Sequence, residues 1–432
     1  MSKPGGRGKI SKETAKITIA VMLAICSAPG LAATLDDPEV QYPEVQHPEV
    51  RPATYEMSGM PRHSQSLAYD SAAYGYSRQW YQRLSLGGYG EVHVNSDEAP
   101  NGDLFDLHRL VILLGYEFTD WLVFNSELEI EHAFVSKSSG GEIGFEQAYV
   151  EYVHSECLHV RAGRVLVPLG IINQKHEPPT FNGVERPSFA KYIIPSTWSA
   201  DGIGVVGWIC PALKYEAYLV TSLDGSQFSA TNGIRSGRIK ERTSLNDMAF
   251  TGRLDLFPFA IYPVPGTRTL RTGVSTFLGG LDNGNKGSNP GIDGEIAVVS
   301  ADLEYTGACF DLRGAFAYEN ISDAAQIGNG AASEIFGWYI EGAVHVWPEC
   351  WRYDRMRRAD AVLFARYDDF NTQYRMPAGV TENGAGNRDE WTFGITFLPV
   401  PTFAVKFDYQ VPNDATANNL ANRVNLGLGW QF

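Results

Sequence analysis

From Leu84 to its end the chain repeats one unit, a run of roughly ten to fourteen residues in which apolar and polar side chains alternate, followed by a break. Alternation at period two makes a strand with one greasy face and one wet face. The last run is the clearest, with Val424, Leu426, Leu428, Trp430 and Phe432 on one side and Arg423, Asn425, Gly427, Gly429 and Gln431 on the other. Phe403, Val405, Phe407, Tyr409 and Val411 oppose Lys406, Asp408 and Gln410 in the same way, as do Leu110, Ile112, Leu114, Tyr116 and Phe118 opposite Arg109 and Glu117.

Sixteen such runs fall near 84–95, 104–118, 121–134, 141–155, 158–173, 201–210, 213–223, 247–259, 269–282, 295–308, 309–322, 333–346, 359–372, 389–400, 402–413 and 421–432. Long gaps (174–200, 224–246, 373–388) follow odd runs, and short ones (Thr119-Asp120, Glu156-Cys157, Pro211-Ala212, Pro401) follow several even runs, while the turns at 260–268 and 347–358 are longer than this rule expects. An even strand number with alternating short and long connections predicts an all-β fold, a transmembrane antiparallel β-barrel of about 16 strands with periplasmic termini. A soluble sandwich needs strands of only about five or six residues, whereas a tilted membrane crossing takes roughly nine to eleven. In lipid every backbone amide must be paired, and strands achieve that only by closing the sheet. Aromatic residues near strand ends (Tyr116, Phe118, Trp121, Tyr305, Phe310, Tyr318, Trp391, Trp430) fit the headgroup level.

The export signals agree. Ile17 to Ala28 is apolar, preceded by Lys3, Arg7, Lys9, Lys12 and Lys16 and followed by Gly30-Leu31-Ala32-Ala33, which reads as a signal peptide over 1–33. The alternative is a lipoprotein signal ending at Cys26, for which Ile25 is a poor preceding residue. Removing 1–33 takes away five basic groups and one acid, and moves the formal charge from -15 to -19. So acidic a chain lacks the basic footprint that nucleic acid requires. Residues 34–83 repeat Pro-Glu-Val at Pro38, Pro43 and Pro48 and are otherwise rich in Tyr, Ser and Pro, which predicts a disordered periplasmic leader or a tether to the wall. The barrel is then 84–432, with Phe432 and the apolar alternation before it similar to the terminal strand read by the outer-membrane insertion machinery.

Residues 141–152 (GEIGFEQAYVEY), 158–170 (LHVRAGRVLVPLG), 171–180 (IINQKHEPPT) and 182–187 (NGVERP) resemble the phosphate-selective porin O/P-like family of outer-membrane porins. The resemblance covers residues 104–207, about a quarter of the chain. It implies a water-filled channel, a long loop bent inward as a constriction, and homotrimers; the acidic balance, separately, suits a surface among outer-membrane lipid and lipopolysaccharide. Phosphate preference in that family rests on a basic constriction and a ladder of arginines, positions that have no residue-by-residue match here.

Strand parity places Arg109, Glu127, Glu129, Glu131, Arg161, Arg253, Arg271, Arg313, Arg366 and Lys406 on the inward, pore-lining face. Asp255, Asp302, Glu304, Asp311, Glu319, Glu341, Asp368, Asp408 and Arg423 join them. Opposed rows of acids and bases can filter ions, or can merely pair across strands and stiffen the wall. The gap 174–200, carrying Lys175, His176, Glu177, Glu185, Arg186 and Lys191, is the candidate constriction; an outer cap or a trimer latch is the alternative. Cys157, Cys210, Cys309 and Cys350 lie at inner turns, and in an oxidising periplasm Cys157 with Cys210 and Cys309 with Cys350 can form disulfides or stay free.

No cofactor, no metal-ligand spacing among the cysteines and no Gly-x-Ser-x-Gly elbow appears, so the expectation is not an enzyme but a porin passing small hydrophilic solutes or ions. A structural anchor with a closed barrel is the competing reading.

Overall fold

The computed structural model describes residues 80–97, 103–132, 140–262, 267–284, 292–416 and 420–432. The expected signal peptide and nearly all of the leader lie outside the described residues. The leader's last four residues, Trp80–Arg83, form a 3-10 turn.

The strands are β1 (Leu84–Asp97), β2 (Leu104–Glu117), β3 (Leu122–Glu131), β4 (Glu142–Ser155), β5 (Leu158–Leu166), β6 (Ser199–Cys210), β7 (Leu213–Thr221) and β8 (Met248–Leu256). They continue as β9 (Thr267–Gly280), β10 (Glu295–Gly307), β11 (Phe310–Ile321), β12 (Glu334–His345), β13 (Asp360–Arg375), β14 (Asn387–Val400), β15 (Phe403–Asp414) and β16 (Arg423–Gln431). Each pairs antiparallel with its sequence neighbours, and β1 closes on β16 from Tyr89↔Gln431 to Asp97↔Arg423, giving a closed barrel of sixteen strands. Phe432 completes the seam by exchanging backbone hydrogen bonds with Gly88 at 2.8 and 3.0 Å.

Sequence parity reads the outer surface correctly. Ile203 is 52% exposed, Val274 55%, Leu363 47% and Leu426 49%, on four well-separated strands. Apolar side chains left open all round a wall are what a lipid-facing barrel presents and what a water-soluble one avoids. Aromatic pairs flank this band: Trp121 with Tyr152 (5.8 Å) at the short-turn rim, and Tyr367 with Trp391 (4.7 Å) towards the other.

The inner face departs from expectation. It is charged in the half nearest the short turns, but in the other half, along β5 to β13, it is apolar. Val165, Val220, Phe277, Val298, Ala317 and Ile335 are all buried there. Their partners are loop residues, Phe189, Ile193, Trp198, Phe228 and Ile234, so a dry core sits inside the barrel. Small and aliphatic residues at inward positions read as weak alternation in sequence, and only a loop folded back among them explains their burial.

The largest boundary difference is β5, expected to run to 173 and ending at Leu166. Pro168 has no N–H to offer the ladder, Leu169 turns back to donate to the Val167 carbonyl at 2.8 Å, and Gly170 takes φ +64, a left-handed conformation that favours glycine.

The disulfide alternative is corrected: Cys157, Cys210, Cys309 and Cys350 are four free, exposed thiols. Adjacent turns do not bring the members of a pair to one level. The turn carrying Cys157 packs on Gly207 and Trp208, short of Cys210, with Trp208 N donating to the Glu156 carbonyl at 3.0 Å. The Cys309 carbonyl accepts from His345 N at 3.0 Å, whereas Cys350 lies further on, in the 3-10 turn Glu349–Trp351.

Candidate functional site

Residues 167–198, between β5 and β6, enter the barrel instead of standing above it. Asn173 staples the neck of this lumen loop. Its side-chain amide donates to the carbonyls of Val167 (2.7 Å) and Trp198 (3.0 Å), and its oxygen accepts from Trp198 N (2.6 Å). All three polar functions of one buried amide are thereby used, which fixes where the loop turns inward.

From that neck the loop is tied to the wall around its circumference. Gln174 donates to Glu216 on β7 (3.1 Å), Lys175 to Glu304 on β10 (2.7 Å) and Asn182 to Glu341 on β12 (2.9 Å). Phe189 N donates to Asp368 on β13 (2.9 Å), Ser188 to Glu390 on β14 (3.2 Å) and Val184 N to Asp408 on β15. In the reverse direction wall arginines donate to loop carbonyls: Arg109 on β2 to His176 (2.7 Å), Arg253 on β8 to Gly170 (3.2 Å) and Arg313 on β11 to Thr180 (2.7 Å). On β1, Asn95 donates to Glu185 (3.0 Å), and on β9 Phe277 meets Trp198 ring to ring at 4.7 Å. Glycine makes room on β16, where an added Cβ at Gly429 would come within 2.4 Å of Pro178 and one at Gly427 within 3.0 Å of Val184.

Every expected pore-lining residue faces inward, and most are paired. Arg253 binds Asp255 (2.7 Å) and Asp302 (2.8 Å), while Arg271 reaches Asp255 (3.1 Å) and Asp302 (3.2 Å). Glu304 gathers Lys175, Arg271 (3.5 Å) and Arg313 (3.3 Å). Arg109 pairs with Glu91 (2.6 Å) and lies 3.7 Å from Glu129; Arg161 pairs with Glu151 (3.2 Å); Arg366 pairs with Asp368 (3.2 Å) and Glu341 (3.5 Å). Lys406 differs: its buried ammonium has no hydrogen-bond partner and lies 3.7 Å from the centre of the Phe181 ring, a cation–π contact with the loop. Glu131 sits nearer the open rim, 4.0 Å from Lys240.

The loop charges divide likewise. His176 is sealed between Glu146 (3.1 Å) and Glu127 (3.5 Å). Burial acts to lower its pKa, but the two carboxylates outweigh burial and hold it at about 10, so it stays an imidazolium link. Burial lowers the Lys175 ammonium and raises the Glu177 carboxyl. Against burial, His93 holds Glu185 down at about 2. Arg186 donates to Ser196 Oγ (3.0 Å), and Lys191 is exposed beside the Tyr192 ring (5.5 Å).

Parity missed Glu146, Asp106 and His108 for one physical reason, whereas His93 keeps the inward parity of Tyr89 and Glu91. β-bulges at Glu127/Leu128 between β3 and β4, and at Glu91/His93 between β1 and β2, shift the register. An extra residue reverses which side chains point inward beyond it.

No family model matches the chain. Among solved structures the fold is similar to the outer-membrane channel DcaP of Acinetobacter baumannii (TM-score 0.50, 12% identity, 81% of this chain and 97% of that one). It is also similar to an anion-selective porin from Comamonas acidovorans (0.50, 13%, 81% and 99%) and to Salmonella typhi OmpF (0.50, 11%, 81% and 97%). At those identities the likeness is one of fold. In sequence, an uncharacterised protein of Aquifex aeolicus (strain VF5) is 34% identical over 371 residues, 81% of this chain and 80% of that protein. The chain therefore belongs to one family with that Aquifex aeolicus protein.

Proposed function

We propose that this chain is an outer-membrane porin for small hydrophilic solutes or ions, with the lumen loop 167–198 as its constriction. The carrying observation is the closed sixteen-stranded wall, with apolar side chains open outside and opposed charges inside. The reading includes export by residues 1–33, a periplasmic leader, insertion through the Phe432 strand into a bilayer of lipid and lipopolysaccharide, and homotrimers. It involves no catalytic step and no cofactor. Anion or phosphate preference follows only from the resemblance to the phosphate-selective porin O/P-like family; the inward charges, mixed and mostly paired, do not form a free basic ladder. Planar-bilayer recording tests the proposal. Small, discrete conductance steps are expected from purified protein.

A second reading, a closed barrel that anchors the envelope, is favoured by the loop's attachment around the wall. It predicts no steps from the native chain and steps only after residues 172–194 are replaced by a short linker.

A further inference from the structure

The bulge between Glu91 and His93 has placed a set of donors where strand alternation would have put lipid-facing side chains. Counting back from inward Arg109 turns Asp106 and His108 outward. The register instead pairs His93 with Asp106, and His108 stacks on buried His93 with ring centres 4.5 Å apart and planes at 11°. At the end of β3, His132 takes φ +54 and donates its N–H to the His108 carbonyl at 2.8 Å, which brings a third imidazole to the same place.

There Asp106 Oδ2 lies 3.1 Å from His108 Nδ1 and 2.9 Å from His132 Nδ1, and the three donor atoms lie within 4.8 Å of one another. Donors arranged tetrahedrally around a metal with bonds of about 2.1 Å stand roughly 3.4 Å apart, so the two separations from Asp106 are within about half an ångström of that spacing, and the two imidazoles, within 4.8 Å of each other, reach it by side-chain rotation. Two imidazoles and one carboxylate suit zinc, nickel, copper or ferrous iron, and a single oxygen donor is too few for calcium or magnesium. The site is open to water: the side chains of Asp106, His108 and His132 are 26, 34 and 46% exposed. His93 is a poor fourth ligand, because its two nitrogens already face Glu91 (3.2 Å) and Glu185 (3.4 Å).

A second trio, Glu127, Glu146 and His176, also brings its donors within 4.8 Å. It is sealed beneath the lumen loop, and its imidazole already serves as a charged link between the two carboxylates.

We propose that Asp106, His108 and His132 form a binding site for a zinc-like divalent transition-metal ion at the long-loop mouth of the barrel. Three protein donors leave coordination positions for water or a passing solute.

The test uses the full chain in detergent, without a histidine tag, stripped of metal and with its thiols alkylated. Titration with Co²⁺ should give one visible d–d absorption signal per chain, displaced by Zn²⁺. His108→Gln and His132→Gln should each weaken binding at least about tenfold, and Glu127→Gln should leave it unchanged. In the unmutated chain, Zn²⁺ should protect His132 from diethylpyrocarbonate, a readout that survives any variant's failure to insert. The proposal is overturned by the absence of a stoichiometric signal, by unaltered affinity in a well-inserted His132→Gln chain, or by unprotected His132. None of these readouts depends on conductance, so the porin reading stands or falls separately.

Discussion

Lys175 and Glu304, separated by 129 positions in sequence, meet at 2.7 Å across the barrel interior. Glu304 also faces Arg313 and, with Asp255 and Asp302, Arg271, so this one carboxylate is shared among three cations. Glu304→Gln should therefore leave excess positive charge on the constriction and move the reversal potential towards anions in a salt gradient. Loss of one partner from this cluster should cost roughly 1–3 kcal/mol, below the figure for fully sealed pairs, because Lys175 keeps 28% exposure. An unchanged reversal potential would show that solutes do not pass this cluster.

His176 supplies a pH dependence with a definite sign. Its folded value, about 10, lies above its ordinary 6.5. The stabilisation it contributes is complete below about 6.5 and is lost as pH rises through about 10. Loop anchoring should weaken in that alkaline window, seen as larger or noisier conductance between pH 9 and about 11. His176→Gln should show the loosened behaviour already at neutral pH, without the alkaline step.

Glu127, Glu129 and Glu131 share a strand face but not an environment. Glu127 accepts from Tyr89 and Gln147, each at 2.7 Å, beneath the loop, whereas Glu131 keeps 26% exposure near the rim. Glu131→Gln should shift ion selectivity with little effect on stability. Glu127→Gln should chiefly loosen the loop, read as a lower unfolding midpoint in urea. The reverse pattern would mean that the ion path runs behind the loop.

Gly429 is inward-facing, and a side chain there meets Pro178. Gly429→Leu should push that part of the loop off β16 at an overpacking cost of roughly 1–3 kcal/mol, with increased single-channel conductance. Outward Leu428→Ala should leave conductance unaltered.

The free thiols give a direct chemical count. A maleimide should add four labels to the barrel without prior reduction, one each at Cys157, Cys210, Cys309 and Cys350, as read by intact mass. Two or fewer labels, rising to four after reduction, would restore the disulfides.

The wall was legible because a membrane barrel obeys a local rule. Each strand must show one face to lipid and one to the interior, so period two and break length suffice to number sixteen strands and to turn Arg253, Arg366 and Lys406 inward. The lumen loop was legible only as a gap too long and too rich in proline and aromatics for a hairpin.

By itself, then, the sequence determined strand number, order, facing and the inward charges, since these follow from neighbours a few residues apart. Only the tertiary structure decided that the loop crosses the barrel on a partly apolar inner wall, that Lys175 meets Glu304, and that two bulges turn Glu146, Asp106 and His108 inward. The reason is physical: a bulge is a one-residue mismatch between two strands, and a loop's resting place depends on surfaces supplied by distant strands, so no local period records either.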